Sequence, residues 1–515
     1  MPDPVTLTGL GLDAAAVVRI GVERAEVVLD LGALAAVADN RRLLEEAIER
    51  GETIYGVTTG LGALVRKRVG VEEAAAIQRD VLRSHAAGVG DPLPREVVRA
   101  ALALRLNGLL RARSGVRPLV LEQVAALLNA DLIAPVPRTG SLGASGDLAP
   151  SAHAFLPLVG EGELAGPDRI ARPAGEVLAE RGLEPLTLAP KEALALVNGT
   201  HFMAAVGALL TVRVGRLLDT ADAAAALALD ALHGAAGAFD PRVHELRPLA
   251  GQVRAAGNVR ALVAGSERLG TREFDVLQDA YSLRCVPQVH GAAREAHGFF
   301  GRLVDVDLNA VTDNPIVLGS GEVVSAGNFH GQSLAYGFDM LRISLADLAA
   351  MSERRTFRLL SPSLNAGLPA FLTHDAGRSS GYMVAQYTAA ALVAELRALA
   401  HPVSLDTIPT SDNQEDHVSM GMTAALLSLE ACARAETVLA IEILCSAQGL
   451  ETGARRPGEG VRRLHALVRE RVPPHDADRP PAPDIEAVRS LVASGALAAV
   501  VAELEVSGAG GQRPE

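Results

Sequence analysis

Residues 140–150, Gly-Ser-Leu-Gly-Ala-Ser-Gly-Asp-Leu-Ala-Pro, carry the most reactive combination in this chain. At their centre, Ala144-Ser145-Gly146 has the residue types a backbone needs to make its own electrophile. If the Gly146 amide nitrogen reaches the Ala144 carbonyl carbon, a five-membered ring closes. Loss of water from the ring and from the Ser145 side chain leaves a methylidene conjugated to an imidazolone. Gly146 has no Cβ to obstruct the attack, Ser145 supplies the hydroxyl that departs, and Ala144 is small. Gly140 and Gly143 relax the approach, while Asp147 and Pro150 suit a turn or a helix start. On residue types alone the segment reads equally as a glycine-rich turn before a helix. It lacks the Lys-Ser/Thr ending of a P-loop and the glycine spacing of a dinucleotide fingerprint.

Other polar blocks punctuate the chain. Tyr55 lies in Ile54-Tyr55-Gly56-Val57-Thr58-Thr59-Gly60-Leu61-Gly62, either a loop anchor or, with positive groups nearby, a base. His85 follows a helical stretch, and Asn198-Gly199-Thr200 has the form of a turn. In Gln278-Asp279-Ala280-Tyr281-Ser282-Leu283-Arg284-Cys285, Tyr281 and Arg284 share a helix face. Arg284 offers a planar fork matched to a carboxylate, whether a substrate's or a surface partner's. Phe329 sits in the polar loop Gly327–Gly331 beside His330, which has no partner at metal-ligand spacing. Thr410–His417 contains Glu415, whose carboxylate can accept from an imidazole N–H but would be a desolvated, unpaired charge against a phenyl ring.

Taken in order, these blocks closely resemble the aromatic amino acid ammonia-lyase and aminomutase family, over about residues 5–500. The resemblance implies a self-formed 4-methylidene-imidazol-5-one from Ala144, Ser145 and Gly146, with no external cofactor and no metal. It implies Tyr55 as catalytic base, supported by Tyr281, and a carboxylate held by Arg284 and Asn198. Asn198 and Phe329 would contact the ring or the substrate, and His85, Gln278 and Glu415 would complete substrate binding. His85 and Glu415 are similar to histidine ammonia-lyases, which implies conversion of L-histidine to trans-urocanate and ammonia, as in histidine degradation. The alternative within the family is a tyrosine or phenylalanine lyase, or an aromatic 2,3-aminomutase. The sequence departs from the family pattern at Thr58, Leu61 and Asp412. Family members imply a homotetramer whose sites are shared between subunits.

The elements that must position these residues read as helices. Among 515 residues there is no Trp, and aromatics make up 3 %, so Ala, Leu and Val do the packing; that composition favours closely packed helices. Helical patterns cover about 29–50, 72–87, 94–113, 117–130, 203–236, 273–304, 330–355, 380–400 and 418–448, with a last amphipathic helix near 484–505. Residues 160–188 are a mixed excursion, and the tail from Ser507 reads as disordered. Few strands are expected. The fold class is all-α, a long-helix bundle; the resemblance makes it fumarase/aspartase-like. The expected divisions are 1–200 bearing the reactive loop, 201–470 forming the bundle, and 471–515 as a terminal helix and tail. A net charge of −13 argues against nucleic-acid and anionic-membrane partners. Three cysteines without metal or paired spacing fit a cytoplasmic location, and no charge-free apolar run reaches the ~18 residues of a membrane span.

Overall fold

The computed structural model describes residues 2–62, 65, 66, 68, 70, 74–271 and 277–509. It divides into two compact units. The first comprises Met1–Val212, Phe300–Asp339 and Pro402–Leu426. Its helices include α1 (Leu31–Glu49), α2 (Ala74–His85), α3 (Leu148–Phe155), α4 (Glu192–Val197) and the start of α5 (His201–Ala231). Helix α1 begins where the Asp30 side chain accepts from Ala33 N, the N-cap its sequence calls for. The expected helix near 117–130 is Pro118–Asn129, with Pro118 in its first turn.

The strands are few and short. Among the described residues they form four two-stranded sheets, one parallel (Val5–Leu7 with Val27–Leu29) and three antiparallel. These sheets tie loops rather than build a layer, so the all-α reading holds. The excursion at 160–188 contains one such pair, Glu163–Ala165 with Ala171–Pro173, followed by a helix over Ala174–Glu180.

The second unit comprises Arg213–Phe299, Met340–His401 and Leu427–Glu515. It contains most of α5, α6 (Val286–Asp307), α7 (Gln332–Leu360), α8 (Met383–Leu399) and α9 (Gly421–Leu450). Small side chains let these helices approach closely, as the run of fully buried alanines from Ala221 to Ala231 shows. Helix α5 has the length and apolar composition of a membrane span, yet 67 % of its apolar window is buried within the protein. Its Asp222 is fully buried and bonded to His290 Nδ1 (2.7 Å) and Arg294 Nη2 (2.5 Å). Burial alone would raise that carboxyl; Arg294 and His290 outweigh it and hold it below the usual range.

Three expectations change. The single last helix is two, Pro481–Ser494 and Ala496–Ala509, bent by 50°. Gly495 at the break has φ +80°, which ends the first helix in a left-handed cap that the continuous apolar pattern hides. Ser507–Ala509 are helical, while 510–515 lie outside the described residues, as do 273–276 of the helix expected at 273–304; in the rest of that span 277–280 are not helical, and the helix comes in two pieces, Tyr281–Arg284 and α6.

Candidate active site

The reactive tripeptide is held in a doubled-back turn. Gly146 N donates to Gly143 O at 3.1 Å, Gly199 N to Ser145 O at 3.0 Å, and Asp147 N to Gly199 O at 2.8 Å. Ser145 has φ +50° and Gly146 φ +83°, a left-handed pair. A serine there is strained, and the surrounding bonds must impose it. A Cβ on Gly146 would lie 2.2 Å from Gly199 O, so the close approach of these two backbones requires glycine. Ser141 Oγ donates to Gly146 O at 3.2 Å.

The sequence suits Asp147 to the start of a helix. It flanks α3, but its carboxylate caps a different one: Oδ2 accepts from Phe202 N and Met203 N, both at 2.9 Å, in the first turn of α5. Its side chain is fully buried, and burial pushes its pKa up to about 7. The tripeptide is thereby strapped at the start of both helices.

Tyr55 reaches the same place from another direction. Its neighbours Ile54 and Val57 are buried in a cluster with Leu44 and Ala47 of α1 and with Val317. Thr58 Oγ1 accepts from Ile54 N at 2.8 Å and Thr59 Oγ1 from Gly56 N at 3.1 Å. Tyr55 Oη accepts from Gly62 N at 3.0 Å.

Two adjoining cavities, of about 350 Å³ and 610 Å³, share Tyr55, Ser145 and Glu415 in their walls. Ala144, Phe329, His330 and His417 line the smaller one. His85, Asn198, Leu61, Val81 and Leu194 line the larger. His85, at the end of α2, donates Nδ1–H to the Val81 carbonyl at 2.8 Å; that fixes the tautomer and leaves Nε2 as an acceptor. Burial keeps its pKa below the usual histidine range, against the opposing pull of the Val81 carbonyl and Glu415. Glu415 Oε2 accepts from Thr410 Oγ1 at 2.6 Å. The loop carrying it turns through Ser411, Asp412 and Asn413, all left-handed (φ +51°, +53° and +62°). His330 Nε2 donates to the His417 carbonyl at 3.1 Å, and the two rings stack.

Asn198 joins α4 to α5 and is 1 % exposed. Its Nδ2 donates to Asn314 O at 2.7 Å and to Asp313 Oδ1 at 3.3 Å, while its buried Oδ1 has no partner. Asp313 is itself held by Lys191 Nζ at 2.7 Å, both groups being fully buried. Neither Asp313 nor Lys191 stands out in the sequence. They lie 122 residues apart in unremarkable contexts, and only the fold joins them.

Gln278, Tyr281 and Arg284 lie in the second unit and line neither cavity. Tyr281 is 69 % exposed, and the Arg284 guanidinium carbon stands 4.6 Å from its ring centroid, close to the expected one-turn pairing. Arg284 Nε donates to Asp279 O at 2.9 Å, which orients the guanidinium.

The chain matches the family described as aromatic amino acid lyase over residues 12–470. It is 48 % identical over 497 residues to the histidine ammonia-lyase of Symbiobacterium thermophilum, covering 96 % of this chain and 97 % of that one. Among solved structures, the histidine ammonia-lyase from Trypanosoma cruzi superposes with a TM-score of 0.90 at 38 % identity, covering 97 % of this chain and 95 % of that one. The tyrosine aminomutase from Streptomyces globisporus does so with 0.92 at 35 %, covering 97 % and 98 %.

Proposed function

The chain belongs to the aromatic amino acid lyase family, and on that premise we propose that it is a histidine ammonia-lyase, converting L-histidine to trans-urocanate and ammonia. The observation that carries the choice of substrate is the pair of acceptors, His85 Nε2 and the Glu415 carboxylate, lining one cavity with Tyr55 and Ser145. An imidazole ring offers the N–H that such a wall needs; a phenyl ring leaves the carboxylate desolvated.

The residues present fit a ring formed at positions 144–146. The backbone is already folded back there, and glycine is required at Gly146. The methylidene-imidazolone supplies an electrophilic carbon that turns the amino group into a leaving group. Tyr55 Oη accepts the β-proton, which departs with the ammonia as ammonium. His85 and Glu415 hold the imidazole, Phe329 packs on the reacting atoms, and fixing the reactants in this way replaces a bimolecular encounter. Gln278, Tyr281 and Arg284 act from a neighbouring copy in a cytoplasmic homotetramer, where Arg284 receives the carboxylate as a planar fork and Tyr281 supports the proton transfer.

The test is incubation of the purified protein with L-histidine, tyrosine and phenylalanine, with products followed by ultraviolet absorbance. Urocanate from histidine alone supports the reading; coumarate, cinnamate or a β-amino acid replaces it with the tyrosine, phenylalanine or aminomutase reading. Intact mass checks the ring, whose formation removes two waters, about 36 Da.

A further inference from the structure

Tyr281 and Arg284 sit on a piece of helix too short to hold itself. Tyr281–Arg284 is a single turn, and a first turn is unfavourable because it fixes several dihedrals for one ladder bond. Its own bonds are few: Cys285 N donates to Tyr281 O at 2.8 Å, and Leu283 N and Arg284 N both donate to Ala280 O at 3.0 Å. The residue four on from Leu283 is Pro287, which has no N–H to extend the ladder. The turn is fastened from inside instead. Arg355 on α7 and Glu442 on α9 are fully buried and meet fork to fork, Nε to Oε1 at 2.5 Å and Nη2 to Oε2 at 2.9 Å. That pairing turns the other edge of the guanidinium towards the turn, where Nη1 donates to Ser282 O at 3.3 Å. Ser282 and Leu283 are buried on this inner face, and Tyr281 is exposed on the outer one.

A buried ion pair adds little stability over apolar side chains that fill the same space, so this one calls for a use beyond cohesion. Its use is a fixed donor. Only a planar fork spans a carboxylate with one edge and a carbonyl with another; a lysine ammonium is a single compact charge on a flexible stem. We infer, resting on the deamination reading above, that Arg355 is a positioning residue for the carboxylate clamp. Glu442 sets the guanidinium, Nη1 holds Ser282 O, and the turn thereby presents Arg284 and Tyr281 in one fixed attitude to the substrate. The segment before the turn is tied as well: Arg284 Nε donates to Asp279 O at 2.9 Å, and Asp279 Oδ2 accepts from Ala235 N at 2.7 Å. Arg355 thus fixes the turn from beneath, while Asp279 fixes the direction of the Arg284 side chain.

Two variants test this. Arg355→Lys keeps a cation beside Glu442 but cannot span both partners. Arg355→Met combined with Glu442→Met removes the donor and both buried charges at similar volume, an exchange that folds tolerate, and so guards against a misfolded single variant. Hydrogen exchange is followed across 278–290, and KM for L-histidine is measured beside inhibition by imidazolepropionate (carboxylate without amine) and histamine (amine without carboxylate). In both variants exchange at 283–285 is expected to quicken while other segments keep their protection. KM for L-histidine and the inhibition constant of imidazolepropionate are expected to rise about tenfold, with histamine held within about twofold. Unchanged exchange, unchanged inhibition by imidazolepropionate, or equal weakening of both inhibitors overturns the inference. Arg284→Ala separates it from the reading beneath: if that variant takes imidazolepropionate as well as the wild type does, Arg284 is not the clamp and the inference goes with it. If Arg284→Ala loses imidazolepropionate and the Arg355 variants keep it, the clamp stands and its support by Arg355 is refuted.

Discussion

On the proposed reading, single residues decide the choice of ring. Thr410 donates to one oxygen of Glu415 and so orients it, leaving the rest of the carboxylate to the cavity. Replacing it by Gln keeps the shape and removes the charge. A charge-assisted hydrogen bond contributes about 1.5–3 kcal/mol, so Glu415→Gln is expected to lower kcat/KM on L-histidine by about 10- to 100-fold. Activity on phenylalanine should fall far less; an equal fall on both substrates shows that Glu415 is not the discriminating group. Asp147 gives a prediction about pH. Its folded pKa of about 7 lies above that of an unfolded Asp, near 3.8, so between them the unfolded chain releases a proton the folded one keeps. The group therefore opposes folding increasingly as pH rises from about 4 to about 7, and by a constant amount above that. Asp147→Asn keeps an acceptor for Phe202 and Met203 and should flatten this part of the stability profile. Melting temperatures across that range check it, and an unchanged slope refutes the assignment. Residue chemistry was largely legible in sequence where it came in contiguous blocks: Ser145, Tyr55, His85 and Glu415 do converge. Asp313 and Lys191 escaped because their meaning lies only in being paired.

At the scale of elements, the site depends on how firmly loops are fastened to helices. Tyr55 itself is half-buried, but the residues on either side of its turn are sunk against α1. Leu44, fully buried in that cluster and lining neither cavity, makes a clean test. Leu44→Ala is expected to cost about 2–5 kcal/mol of stability and also to reduce turnover, because Tyr55 loses its seat. Calorimetry and steady-state kinetics on the same preparation check both; lost stability with full turnover per folded molecule shows that the Tyr55 loop holds itself. The helical pattern at 29–50 announced α1, whose buried residues Val37, Arg41, Leu44 and Ala47 recur at helical spacing. Backbone sign was not legible in the same way. Ser411, Asp412 and Asn413 all turn left-handed, and Gly495 breaks an apolar run; Gly, Asn and Asp tolerate that region, but surrounding contacts choose which of them adopt it.

For the whole molecule, the proposed sharing of sites between copies makes a prediction of its own. The walls of both cavities come from the first unit alone, whereas the proposed carboxylate clamp lies in the second, beside an exposed Tyr281. Large apolar side chains also stand exposed in helical register, Tyr336, Met340 and Ile343 on α7 and Val384 and Tyr387 on α8. Patches of this kind mark surfaces that partners cover, and a symmetric assembly of identical chains is the commonest way to cover them. If each site takes Tyr55 from one chain and Arg284 from another, two dead variants should rescue each other. Tyr55→Phe and Arg284→Ala are each expected to abolish turnover alone. Mixed by co-expression, random assembly puts both intact residues in about a quarter of the sites, so roughly that share of wild-type activity should return. Should the mixture stay as inactive as its components, or a monodisperse monomer show full turnover, the two residues serve one site from a single chain.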